Sequence, residues 1–76
     1  MSVKEGDRIT LAEYVDRFPF FLVEPGATGT VTEASDKLIT VKMDAHIDGC
    51  EEWDNEIIFN LPDDGEEAAV ALQVVS

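Results

Sequence analysis

The stretch from Asp44 to Glu56, "DAHIDGCEEWDNE", gathers every metal-capable residue type of the chain: its one histidine, its one cysteine and six carboxylates. Asp44, His46 and Asp48 stand at i, i+2 and i+4, so a continuing strand would set all three on one face. Imidazole and carboxylates are ligands that a divalent cation takes. The pattern has only one histidine and no Cys-x-x-Cys pair. Calcium-loop spacing is not met either, because Glu52 and Asn55 occupy the ninth and twelfth positions from Asp44. A weak metal-binding module is therefore one alternative reading of the chain, and a solvated acidic loop on a hairpin is the plainer account. No metal ligands are assigned.

Catalysis finds less support. Cys50 precedes two glutamates, and adjacent carboxylates raise a thiol's pKa, which disfavours a reactive thiolate. A Cys50–His46 dyad would need a third orienting group and a cleft. The "PGATG" segment has no lysine and opens no helix, so it is not a phosphate loop. Paired carboxylates are abundant, but acid–base work needs a pocket that separates two pKa values. The expectation is a non-enzymatic protein with no catalytic residues and no cofactor.

Aromatic residues are the other signal. Tyr14, Phe18, Phe20 and Phe21 fall within eight residues, interrupted by Asp16, Arg17 and Pro19. Trp53 stands alone among acids. Such rings either plug the ends of a small fold or form an apolar patch rimmed by charge, as at the centres of protein interfaces. Tyr14, Phe18, Phe20, Phe21 and Trp53 are the candidate partner surface, with at least one of Phe20 and Phe21 expected to be substantially exposed.

The elements that must position these residues read as short strands. Arg8–Leu11 alternates, with Ile9 and Leu11 inward. Residues 12–18 fit one or two helical turns or the start of a long first loop, and the loop is preferred because Pro19 follows. Residues 20–23 are continuously apolar and read as loop over the end of the core. Pro25-Gly26 has the composition of a type II turn, with positive φ at Gly26. Gly29 suits a bulge or a close backbone approach. Residues 28–33 and 38–43 form a hairpin across a polar connection, with Val31, Ile39, Val41 and Met43 inward. Residues 56–60 are a strand whose inward set is either Ile57 and Phe59 or Ile58 alone with Trp53 covering the edge, and Ile57 and Phe59 are preferred. Residues 61–65 break it, 66–69 suit one helical turn, and 70–75 read as a last strand with Val70, Leu72 and Val74 on one side.

Length and charge bound the rest. The chain has 76 residues, so 1–76 is read as one domain, and a chain of this size buries only about 60–65% of its unfolded surface. A lone cysteine excludes an intrachain disulfide and fits a reducing cytoplasm. The amino-terminal segment lacks the apolar core of a signal peptide, and no apolar run is long enough to span a bilayer as a helix. Formal net charge is −12. Residues 44–76 carry ten acids and no base, a half that should repel nucleic acid and anionic lipid.

"VKEGDRITL", a long loop, "PGATGTVTE", "LITVKMD" and "WDNEIIF" together resemble the pattern of SH3-like barrel proteins. The resemblance is nearest to small uncharacterised bacterial and phage proteins of that type. It is weaker to the variable chain of ferredoxin–thioredoxin reductase and to a small photosystem I accessory subunit. Gly6, Asp7, Pro25, Gly26, Gly29, Val31, Val41 and Asp44 stand where the pattern has turn and core residues. Met43-Asp44 takes the place of a Trp-Asp pair, with Trp53-Asp54-Asn55 following later. The resemblance implies an all-β, five-stranded SH3-like barrel with a long first loop and short helical turns. Barrel members that bind nucleic acid carry basic loops, which this chain lacks after Lys42.

The expected function is a protein-interaction module, adaptor or accessory, cytoplasmic, binding a basic protein or a second copy of itself. It is expected to bind neither nucleic acid directly nor membrane. A further alternative is indirect action on nucleic-acid-associated machinery through the acidic surface.

Overall fold

Alternating side chains and closely spaced turns produce seven strands among the described residues. The computed structural model describes residues 3–17 and 19–75, and the side chains of all of these except Glu52. The strands are β1 (Arg8–Leu11), β2 (Val15–Arg17), β3 (Phe21–Val23), β4 (Thr28–Ala34), β5 (Leu38–Met43), β6 (Glu56–Asn60) and β7 (Leu72–Val74). A helix, α1 (Leu61–Ala71), joins β6 to β7, and a 3-10 turn spans Glu51–Trp53.

Five strands form one antiparallel sheet in the order β6-β5-β4-β1-β7, and β2 and β3 pair as a separate two-stranded ribbon. The hairpin β4–β5 pairs Val31 with Val41 and Gly29 with Met43, with a register shift between Val31 and Glu33. Gly29 lies under β5: a Cβ there would stand 2.7 Å from the Lys42 carbonyl oxygen. Of the two expectations for this glycine, close approach is the one observed.

The inner face is apolar and closed to solvent. Ile9, Leu11, Val31, Ile39, Val41, Met43, Ile57 and Phe59 come from the sheet, Val15 and Val23 from the ribbon, and Ala68, Ala71 and Leu72 from the last segment. Burying each large side chain contributes roughly 1.5–3 kcal/mol. The ribbon is tied to the sheet at its base: the Leu11 N–H donates to the Ala27 carbonyl and the Gly26 N–H to the Leu11 carbonyl, both at 2.8 Å. Gly26 takes φ +95°, as the turn chemistry requires.

The SH3-like, all-β barrel expected from the sequence is overturned. The five-stranded sheet is open. Its end strands, β6 and β7, pair with no other strand at their outer edges among the described residues, and the two-stranded ribbon packs on the core without joining the strand order. The segment between those edges is helical, where an end to the strand over 61–65, a single helical turn over 66–69 and a last strand from residue 70 were expected. Pro62 falls in the first turn, where its missing N–H costs nothing, and Asp63 and Asp64 face the positive end of the helix. Asp64 is non-helical (φ −109°, ψ 15°), and its carboxylate accepts the Asn60 N–H at 3.1 Å, so the axis kinks there. Ala68, Ala71 and Leu72 are buried at i, i+3 and i+4, which is helical spacing. Val70 is 61% exposed and Val74 is exposed too, so the expected alternation of Val70, Leu72 and Val74 fails. Residues 14–23 also differ from a plain loop, because Val15 pairs with Val23 and Arg17 with Phe21.

Candidate functional site

The β2–β3 ribbon turns at Pro19-Phe20, closed by the Phe20 N–H donating to the Arg17 carbonyl at 2.7 Å. The turn throws the Phe20 ring outward, 59% exposed. Trp53, at the end of the 3-10 turn, meets it edge-on: the ring centroids are 5.4 Å apart with planes at 76°. Phe21 lies 6.0 Å from the same indole. Edge-to-face geometry sets the positive ring edge on a π face and adds about 0.5–1.5 kcal/mol per pair. These three rings, with Arg17, Glu56 and Ile58, line an apolar cleft of about 150 Å³.

The two charged walls differ in their bonding. The Arg17 guanidinium sits 2.6 Å from the Glu67 carboxylate on α1 and lies over the Phe59 ring, 5.2 Å from its centroid. Its charge is met within the protein. The Glu56 carboxylate accepts a hydrogen bond from the Thr32 hydroxyl at 3.2 Å. Lys42 stands opposite Glu56 across β5 and β6, yet no ion pair joins them among the described residues.

Of the expected partner surface, the structure brings Phe20, Phe21 and Trp53 together. Tyr14 is 58% exposed and lies outside the cleft lining. Phe18 lies outside the described residues. Sequence reading missed Arg17, Glu56 and Ile58. A signal for two of them was present: Ile57 and Phe59 inward place Glu56 and Ile58 outward on one face, and an outward isoleucine on a strand is an exposed apolar residue to be explained.

The acidic loop folds in a way the strand spacing did not anticipate. β5 ends at Met43, and Asp44 turns back to β1 and β4. Its carboxylate accepts two hydrogen bonds from Arg8, at 2.9 and 2.5 Å, and one from the Thr28 hydroxyl at 2.7 Å. The Arg8 hydrogen bonds, followed by the one from Thr28, hold the Asp44 carboxyl down to about 2. His46 and Asp48 instead gather with Glu51, their ligand atoms all within 4.8 Å of one another. All three side chains are exposed, an arrangement that surface acids commonly show without an ion. Glu51 is held below its ordinary value chiefly by its own backbone N–H. His46 and Asp48 also line a second, wider cleft of about 430 Å³ with Leu22, Glu24 and Pro25.

Asn55 braces this loop. Its carbonyl oxygen accepts the Ile47 N–H at 2.8 Å, and its amide donates to the Met43 and Ala45 carbonyls at 3.0 and 2.7 Å. Asp54 and Asn55 both take positive φ, which short polar side chains tolerate. Cys50 is buried, its thiol donating to the Glu56 carbonyl at 3.4 Å. Burial first, then Glu51 and Glu56, push the thiol up, away from the thiolate that nucleophilic chemistry needs.

These features define a small antiparallel β protein with one helix and an exposed aromatic cleft at the ribbon tip. Among the described residues no helix is long and apolar enough to cross a membrane. Compared with protein-family models, curated proteins and solved structures, the chain matches none, so the resemblance to SH3-like barrel proteins finds no support there either.

Proposed function

We propose that the chain is a non-enzymatic protein-interaction module whose partner face is the cleft between Phe20, Phe21, Trp53 and Ile58. The observation that carries this reading is a large ring, 59% exposed, set edge to face against a neighbouring indole. Exposed aromatics supply a large contact area with few rotatable bonds, which is why such residues anchor interfaces. The acidic surface favours a basic or mixed-charge partner and steers its approach.

The test compares wild type with Phe20→Ala in proteins retained by the immobilised chain. Phe20→Ala is expected to lower stability by no more than the lost ring pair, about 0.5–1.5 kcal/mol, and to weaken the retained association by roughly 1–3 kcal/mol. Sedimentation at low and high salt separates the two kinds of partner. Association with a basic protein falls as salt rises, whereas self-association of like-charged copies strengthens. Undiminished retention by Phe20→Ala overturns the reading.

A further inference from the structure

We propose that the cleft takes a cationic side chain, an arginine from a basic segment, with its guanidinium directed to Glu56 and its methylene stem against the aromatic walls. The proposal rests on the reading of the cleft as the partner face and specifies what enters it.

The first observation is the composition of the walls. Phe20, Phe21, Trp53 and Ile58 offer aromatic and aliphatic surface in a cleft of about 150 Å³, enough for one side chain but not for a folded element. Aromatic faces attract cations through the ring quadrupole, and guanidinium stacks on them better than ammonium does. The second is the charge inside the cleft. Among the described residues, Arg17 is the only basic one in the lining, and it is bound by Glu67 and laid over Phe59. The remaining charge among the described lining residues is Glu56, which accepts a side-chain hydrogen bond from neutral Thr32. A carboxylate beside aromatic walls suits an amphipathic cation: the stem displaces water from the rings while the head meets the acid. The third is the surroundings. The chain carries −12 overall, with no base after Lys42, so a basic segment is drawn to the protein and an acidic one repelled.

Trp53 is the only tryptophan, so its emission reports on the cleft without a label. The probe is an acetylated, amidated peptide of four Gly-Arg repeats, titrated into the full chain at about 0.15 M salt, where charges separated by more than about 8 Å are screened. A saturable change in Trp53 emission is expected. Glu56→Gln, which keeps the acceptor for Thr32, should weaken binding about tenfold or more. Asp36→Asn, the same charge change on the β4–β5 turn, should weaken it less than about twofold. The same peptide with citrulline, a neutral isostere of arginine, should not bind.

Equal losses in Glu56→Gln and Asp36→Asn would mean attraction by the whole acidic surface and overturn the proposal. Citrulline binding as well as arginine would overturn it too. In that case the cleft survives as a partner face if Phe20→Ala still abolishes the signal. No binding of the arginine peptide to wild type also overturns the proposal, and retention by Phe20→Ala then judges the cleft separately.

Discussion

Gly49 lies with its backbone directly against the carbonyl oxygen of Phe20, leaving no room for a side chain between them. A Cβ at Gly49 would overlap that oxygen and come within 3.4 Å of the Phe21 Cβ. The contact seats the acidic loop on the tip of the β2–β3 ribbon. It explains why Phe20 and Trp53, far apart in the chain, stand edge to face. Gly49 also has φ +90°, so conformation and space both demand glycine.

Gly49→Ala therefore carries two penalties, a strained backbone and a backbone clash. A loss of about 2 kcal/mol or more is expected in urea unfolding. The Trp53 emission of the folded protein should shift as well, because the indole loses its fixed neighbour. An unchanged midpoint with unchanged emission would show that the loop and the ribbon tip do not depend on each other.

Gly26 isolates the conformational part of that effect. It has φ +95°, but a Cβ there meets nothing within 4 Å. Gly26→Ala should cost about 1 kcal/mol and Gly26→Asn less, since asparagine tolerates positive φ better. Equal stability of all three proteins would argue against a conformational demand at this turn.

Asp44 sets an acid dependence. Its carboxyl is lowered from an ordinary 3.8 to about 2 by hydrogen bonds from Arg8 and Thr28. A lowered folded-state value means that the stabilisation is fully present above the ordinary carboxylate value and is lost as pH falls through about 2. The difference in melting temperature between wild type and Asp44→Asn should therefore be constant at neutral pH and close between the two values. Both partners are exposed, so added salt should narrow the difference at pH 7. A gap that persists unchanged below pH 2 would assign the effect to the amide substitution itself.

Phe59 on β6 and Val70 on α1 contrast a buried position with an exposed one. Phe59 is fully buried and carries Arg17 over its ring, so Phe59→Ala should cost about 3–5 kcal/mol. Val70 is exposed on a helix, where alanine is the better helix former, so Val70→Ala should be neutral or slightly stabilising, within about 0.5 kcal/mol. A core-sized loss at Val70 would contradict the helical assignment.

Much of the sheet was legible because its periodicity is local. Ile39, Val41 and Met43 are buried as expected, as are Ile57 and Phe59, although Thr40, expected outward, is only 7% exposed as well. The exposed ring at Phe20 meets the expectation that at least one of Phe20 and Phe21 would lie outside a small core. The last segment was misread because Val70, Leu72 and Val74 satisfy a two-residue period by identity alone. The buried set, Ala68, Ala71 and Leu72, follows the helical period, and two of its members are alanines that carry little hydrophobic signal.

By itself the sequence determined the pairing of β4 with β5, the positive φ at Gly26 and the clustering of charge after residue 43. Each rests on neighbours within a few positions, where side-chain period and backbone sterics act directly. Tertiary structure alone decided that the sheet stays open, with α1 between its edge strands, and that Phe20 meets Trp53 across a glycine. It also decided that Asp44 leaves His46 for Arg8, because a carboxylate gains more from a guanidinium and a hydroxyl brought within 3 Å than from an imidazole two residues away. Those outcomes depend on which distant groups the folded chain sets side by side, and residue spacing carries no record of that.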